Sequence, residues 1–248
     1  MERFSCTALI LSRIDFGESD RILTLLTEER GKLSAFARGA RKSRRRFVGV
    51  LEPFSLIQAN LRSARGALHT LEEASLVDGF DALRRDLGAM SRAAYACELA
   101  RELCRDHAAS PEFFSLLRAF LGGSVDPVEL MRFELGALSL SGLRPHLDHC
   151  VQCGAADSGS VELDSRFDPE RGGRLCGRCA RSRGTRISNV TLGVLAALQT
   201  GVTEGHGALE APAWVRAEAR AALTGFVVHH MGHRLKSYDF MRDIGLDA

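Results

Sequence analysis

Four of the seven cysteines fall into two pairs of equal spacing, Cys150-x-x-Cys153 and Cys176-x-x-Cys179, separated by 22 residues. Two residues between thiolates let one tight turn present both sulfurs to a single tetrahedral ion. Two such knuckles supply a complete set of four ligands and leave no position for water, which favours a structural Zn²⁺ over a catalytic one. A redox dithiol pair, or no metal at all, is the alternative. The segment between the knuckles contains Val161-Glu162-Leu163, Phe167 and the turn-like Arg171-Gly172-Gly173, which fit a β-hairpin or ribbon. His146 and His149 lie close by and are able to replace a thiolate, but four thiols already suffice. Around the second knuckle stand Arg171, Arg174, Arg178, Arg181, Arg183 and Arg186 with no acid among them, a cationic patch that a metal would hold rigidly.

A second stretch restricts the fold in another way. In Arg38–Arg46, RGARKSRRR, six of nine residues are cationic and none is acidic. An element packed on a core would turn some of these charges inward, and an unpaired buried charge is costly. The stretch is therefore an exposed loop or arm. Between Gly31 and Arg65 nine Lys or Arg stand against one acid, Glu52, a local excess of +8 in a chain whose net charge is +2. Such a concentration of cations is the footprint of a surface that meets phosphates. A solubilising loop or a targeting signal is the plainer alternative.

At 248 residues the chain has room for two or three compact units. Residues 1 to about 80 read as five short strands with turn signals about every ten residues: 7–14, 21–27, 32–37, 51–60 and 67–77. Glu28-Glu29-Arg30-Gly31 makes the turn between the second and third, with Gly31 free to take positive φ. This pattern fits a small barrel or a sandwich, an oligonucleotide-binding barrel among them. Of the aromatic residues here, Phe47, directly after the arginines, is the best placed to stack on a base. Phe54 is a weaker candidate, and core positions suit the others.

From Phe80 onward the apolar period becomes helical. Met90, Ala93, Ala94, Cys97, Ala100 and Cys104 share one face, so Cys97 and Cys104 read as buried thiols. Ser110-Pro111 opens a helix stopped by Gly122-Gly123, and Asp126-Pro127-Val128-Glu129 opens another that ends at Gly142. The C-terminal part is helical again, with a long helix expected from Pro212 to about Leu235. It would hold His229 and His233 one turn apart, but without the glutamate of a metalloprotease.

Several chemistries lack their signatures. No GxxxxGK[ST] loop, GxGxxG turn or GxSxG elbow occurs. Asp15, Glu18 and Asp20 are numerous enough for a metal-dependent nuclease, but a polar turn before the second strand is the simpler reading. No stretch approaches the ~20 apolar residues of a membrane span, and the first residues lack the pattern of a signal peptide, so a cytoplasmic protein is expected. A zinc-ribbon regulator that reads base edges is the competing DNA-binding function.

Five stretches stand out together: Gly17–Phe47 (GESDRILTLLTEERGKLSAFARGARKSRRRF), Leu51–Phe54 (LEPF), Phe133–Gly154 (FELGALSLSGLRPHLDHCVQCG), Gly172–Cys179 (GGRLCGRC) and Leu235–Gly245 (LKSYDFMRDIG). With these stretches, along nearly the whole chain, the order of parts resembles the RecO family of DNA repair and recombination mediators. The resemblance implies an α+β chain: an N-terminal five-stranded OB-type β-barrel over 1–80, then an α-helical domain over 81–248 interrupted by a four-cysteine zinc ribbon at 147–186. It implies a non-enzymatic protein that binds single- and double-stranded DNA and anneals complementary strands. With RecR, and in some pathways RecF, such a protein helps load RecA onto DNA. The helical domain would meet the acidic C-terminal tail of the single-stranded-DNA-binding protein, and the protein would lie with the nucleoid. Carried onto this chain, the implied DNA contacts are Lys32, Arg38, Arg41, Lys42, Arg44, Arg45 and Arg46, and the implied metal ligands are Cys150, Cys153, Cys176 and Cys179.

Overall fold

A computed structural model describes residues 2–43, 45–63, 68–156, 165–201 and 211–246. Arg44, and the Val161-Glu162-Leu163 strand expected in the ribbon, lie outside those residues. The chain divides into two compact units, Met1–Val125 and Asp126–Ala248.

The first unit is built on a closed five-stranded barrel, β1 (Arg3–Phe16), β2 (Asp20–Thr27), β3 (Gly31–Ala37), β4 (Leu56–Arg62) and β5 (Leu68–Asp78). The strand order around it is β1-β2-β3-β5-β4, with β3 and β5 parallel and the other neighbours antiparallel. Closure depends on the length of β1. Its first half, Arg3 to Leu9, pairs with β4, and the stretch from Ala8 to Phe16 pairs with β2. A register shift between Ile10 and Ser12 bends the strand between the two partners. A barrel of this order and size is the OB type, as expected.

Alternation along the strands sends Ile10, Leu23, Leu25, Leu33, Ile57, Leu61 and Leu71 inward, with alanines at 8, 35, 37, 59 and 74 between them. Leu9 and Leu26 face each other across β1 and β2 on the outer surface, yet both are buried. Helix α1 (Leu87–Leu103) packs on β1, and α2 (Pro111–Gly122) packs on β2. The outward leucines form the seam beneath those helices. Cys97 and Cys104 are buried on the α1 side, as their spacing predicts. The β2–β3 turn admits only glycine at position 31. Its φ is +68°, and a Cβ there would lie 2.1 Å from the Ala108 carbonyl oxygen.

The fourth strand and Phe47 both depart from expectation. The fourth strand starts at Leu56, not Leu51. Residues before it form a turn in which Phe54 takes φ +71° and donates its N–H to Ile10 O (2.9 Å), while Ile10 N–H donates to Ser55 O (3.0 Å). That backbone pairing fixes the turn against the bend in β1. Phe47 is the second departure. Only 3% exposed, it closes the barrel core beside Leu51 and is not a stacking surface. Burial of a large apolar ring, worth roughly 2–3 kcal/mol, outweighs the polarity of its neighbours in sequence.

The second unit holds α3 (Pro127–Leu140), α5 (Asn189–Thr200), α6 (Ala213–Met231) and α7 (Lys236–Asp243). A small sheet of order β7-β6-β8 joins Gly173–Leu175, Arg166–Asp168 and Thr185–Arg186, and the one-turn α4 spans Gly177–Ala180. Asp126 caps α3 as its position predicts, accepting from the N–H groups of Val128 and Glu129 at 2.9 Å each. Helix α6 is shorter than expected. Gly232, at φ +74°, ends it after Met231, so His233 lies beyond the last turn and does not share a helical face with His229.

Candidate nucleic-acid interface and metal centre

The cationic loop is pinned at its start to the β1–β2 turn. Gly39 N–H donates to Asp20 Oδ1 (2.7 Å), Arg41 N–H donates to Ser19 O (2.9 Å), and the Arg41 guanidinium reaches Glu18 O (3.4 Å). A short 3₁₀ turn, Ala40–Lys42, buries Ala40 and directs Arg41 and Lys42 outward. Arg38, Arg41, Lys42, Arg45 and Arg46 are all exposed, so the structure brings five of the predicted contacts onto one surface. Arg46 donates to Arg38 O (2.9 Å) and lies over the Phe47 ring at 4.9 Å, which holds the far limb of the loop against the near one.

Lys32 does not join them. Its Nζ donates to Arg101 O (2.6 Å) and lies 3.4 Å from Asp106 Oδ1, with the side chain 16% exposed. It sits at the opposite end of β3 from Arg38, six residues or roughly 20 Å away at strand rise.

Next to the loop, the outer face of β1, β2 and β3 carries apolar side chains where alternation calls for polar ones. Ile14 is 62% exposed and Phe16 54%. The register sets Ile14 opposite Ile22, and Ile22 opposite Phe36, so the four residues adjoin across three strands. Phe16 and Phe36 meet edge to face with centroids 6.0 Å apart. No sequence periodicity singles out this pair. Each phenylalanine stands at an ordinary strand position, and only the cross-strand register brings them together. Asp15, between the apolar strip and the loop, pairs with Arg21 (3.1 Å) and Arg41 (3.5 Å), and Asp20 caps the loop. Asp15 and Asp20 thus serve the architecture of the turn.

The four cysteines predicted as ligands converge. Their sulfurs lie within 4.8 Å of one another, and Cys153 Sγ is 3.8 Å from Cys176 Sγ. Two local turns present them: Gly154 N–H donates to Cys150 O (2.8 Å), and Cys179 N–H donates to Cys176 O (3.0 Å). Val151 N–H donates to Arg174 O (2.9 Å) and so ties the first knuckle to the strand that leads into the second, while Cys150 N–H closes the first knuckle on Ala155 O (2.8 Å). Burial pushes the Cys150 thiol up, but N–H groups of Cys176, Cys153 and Gln152 outweigh it and bring the pKa down to about 6. Cys179 is pushed up to about 12 by hydrogen bonding with the sulfurs of Cys176 and Cys153. One sulfur is thus readily a thiolate, and the set is able to hold a metal ion. Neither His146 nor His149 belongs to it; their rings pack on each other at 5.1 Å.

Of the second cationic patch, Arg171, Arg178, Arg181 and Arg183 line one cavity with Gln152 and Cys179. Arg174, expected among them, is 4% exposed. Alternation in β7 turns it inward, where it donates to Ser165 Oγ (3.2 Å) and Asp148 O (3.4 Å). Arg186, in β8, is exposed but does not line the cavity.

Among the described residues, no helix is long and apolar enough to cross a membrane. Residues 1–80 match the family described as recombination protein O N terminal, and residues 84–239 match recombination protein O C terminal. The DNA repair protein RecO of Anaeromyxobacter dehalogenans strain 2CP-C is 49% identical over 254 residues, covering 99% of this chain and 98% of that one. The RecO of Myxococcus xanthus strain DK1622 is 46% identical over 253 residues and covers both chains fully. That of Symbiobacterium thermophilum is 35% identical over 253 residues, 97% of each. With both family regions matched in order and relatives aligned from end to end, the chain belongs to the recombination protein O (RecO) family.

Proposed function

We propose that this chain is a DNA repair and recombination mediator that grips single- and double-stranded DNA without reading its sequence. The observation that carries the proposal is the apolar strip of exposed Ile14 and Phe16 and half-buried Ile22 and Phe36, lying beside a pinned cationic loop on an OB-type barrel. Arg38, Arg41, Lys42, Arg44, Arg45 and Arg46 meet phosphates, while Phe16 and Phe36 offer ring surface to unstacked bases. Lys32, already engaged, acts by fixing the β2–β3 turn. Phosphate contacts carry no base information, so binding is sequence-independent. Screening two complementary strands on one cationic surface lowers their repulsion and promotes annealing. The family reading adds RecR as partner, with RecF in some pathways, the loading of RecA, and contact with the acidic tail of the single-stranded-DNA-binding protein. It supports a functional division near residue 80, with 1–80 as the DNA-binding module and 81–248 as the helical domain with its ribbon at 147–186. A cytoplasmic, nucleoid-associated, non-enzymatic protein follows from the same reading.

The metal is one structural Zn²⁺ held by Cys150, Cys153, Cys176 and Cys179. Four thiolates at a Zn–S distance of ~2.3 Å stand ~3.8 Å apart at the corners of a tetrahedron. The Cys153–Cys176 separation of 3.8 Å fits that geometry. The ion's part is to tie the two knuckles together.

A titration of oligonucleotide affinity against salt tests the proposal. Replacing Arg41, Arg45 and Arg46 with Gln lowers the slope of log K against log salt by about 2 for single strands and about 2.7 for duplex. An unchanged slope, or strong preference for one sequence among random competitors, refutes it.

A further inference from the structure

We infer that the arginine-lined cavity beside the metal centre is a second phosphate site, which takes the backbone of a nucleic-acid strand independently of the barrel loop. The cavity has a volume of about 370 Å³ and is lined by Gln152, Arg171, Arg178, Cys179, Arg181 and Arg183. It lies wholly in the second unit, Asp126–Ala248. The identity of the polyanion rests on the nucleic-acid reading above; the site itself does not.

Three observations converge. First, Arg178, Arg181 and Arg183 make no ion pair or side-chain hydrogen bond among the described residues, although the chain carries 31 acids against 33 Lys and Arg. Arginines elsewhere in the protein find carboxylates, as Arg132, Arg220 and Arg242 do. Four permanent charges facing one concavity repel each other, and a bound anion relieves that repulsion. Second, among the described residues the lining contains no aliphatic or aromatic side chain. Guanidinium forks in a polar cavity match phosphate oxygens two at a time, whereas a peptide ligand needs apolar contact to add to its carboxylates. Third, the loop is held in an uncommon backbone. Arg181 and Ser182 take φ +40° and +73°, successive left-handed conformations at residues that are not glycine. Strain of this kind persists where the surroundings over-determine it. Here the neighbours are Cys179, a metal ligand, and Gly184, which at φ +67° approaches so closely that a Cβ would lie 2.6 Å from Phe167 O. Arg171 is held from the other side by donating to Gln152 Oε1. A metal between the knuckles therefore fixes both walls of the cavity: Gln152 lies between Cys150 and Cys153, and Arg178 between Cys176 and Cys179.

The experiment uses the full chain with Arg178→Gln, Arg181→Gln and Arg183→Gln combined, and a thymidine oligonucleotide as probe. Retention of one zinc per chain, by elemental analysis, establishes that the ribbon is intact. The expected result is a salt slope lower by about 2, three contacts at ~0.7 each, in the parent and in the barrel-loop variant alike. An unchanged slope in a zinc-retaining variant overturns the inference. If instead the loop variant fails to alter the slope while the cavity variant does, the loop reading falls and this site stands. Should the triple variant lose its metal, the unmutated protein decides. Phenylglyoxal adducts at Arg178, Arg181 and Arg183, read by mass spectrometry, fall several-fold when the oligonucleotide is present. Protection by an acidic peptide but not by the oligonucleotide overturns the assignment in favour of a protein ligand.

Discussion

Glu134 and Arg220 form a bidentate ion pair in the interior of the second unit, with Oε1 to Nη2 at 2.5 Å and Oε2 to Nη1 at 2.6 Å. Glu134 is fully buried, and the Arg220 side chain is 9% exposed. The pair ties α3 to α6, and Arg220 Nε continues to Thr224 Oγ1 at 3.2 Å. Neither charge is tolerable there alone, because each would lose its hydration without compensation. Glu134→Ala or Arg220→Ala should destabilise the unit by about 3–5 kcal/mol in denaturant unfolding. Replacing both together by apolar residues of similar volume should cost much less than the sum of the single changes. Strict additivity in that double-mutant cycle would show the pair to be uncoupled.

The apolar strip on the barrel separates two contributions to DNA binding. Phe16→Ala and Phe36→Ala remove ring surface but no charge. Each should weaken single-strand affinity by about 1–3 kcal/mol and leave the salt slope where it was. Duplex affinity, where bases stay stacked on each other, should move less. A lowered salt slope in the phenylalanine variants would mean that the loop itself had been disturbed.

At the metal centre, Cys150→Ser with Cys176→Ser removes one ligand from each knuckle. Bound zinc should drop from one per chain to none, and the ribbon should become the first region cleaved by protease. The barrel has its own core and should keep its oligonucleotide affinity apart from the part contributed by the cavity arginines. Zinc content equal to that of the parent would remove these two residues from the ligand set.

His69 makes the first unit sensitive to acid. Both ring nitrogens lack a hydrogen-bond partner, and the ring packs on Phe4 (5.7 Å) and His107 (5.6 Å), with Arg30 over the Phe4 ring at 4.0 Å. Burial holds its pKa below the usual histidine value, and the neighbouring His107 and Arg30 lower it further. The folded-state pKa is thus below the unfolded one. The stability involved is present above about pH 6.5 and is lost as pH falls through the folded value. Thermal unfolding should therefore shift downward between pH 7.5 and pH 5.5, and His69→Leu should flatten that shift. His230, also lowered by burial and by His229, contributes an acid-sensitive part in the second unit that the His69 variant leaves in place. An identical pH profile in parent and variant would acquit His69.

Much of this arrangement was written into short stretches of the chain. The cysteine spacing foretold which four sulfurs converge, because each pair needs only one tight turn, a local condition met within four residues. Asp126-Pro127 marked the start of α3 for the same reason: a capping carboxylate reaches only the first turn. The loop at Arg38–Arg46 was recognisable as exposed because so many fixed charges exclude burial, and the barrel order followed from resemblance to the family. Other features depended on contacts between residues far apart in sequence. Phe47 went to the core and Phe16 to the surface because closure of the barrel, not the polarity of their neighbours, decides which side of the wall a ring occupies. Lys32 was taken by Arg101 O and Asp106, and Arg174 by Ser165 and Asp148, partners that lie 9 to 74 positions away. Periodicity and spacing report what a residue can do within a few turns of chain. Which charge is left free for a phosphate, and which is consumed in holding the fold, is settled only when distant segments meet.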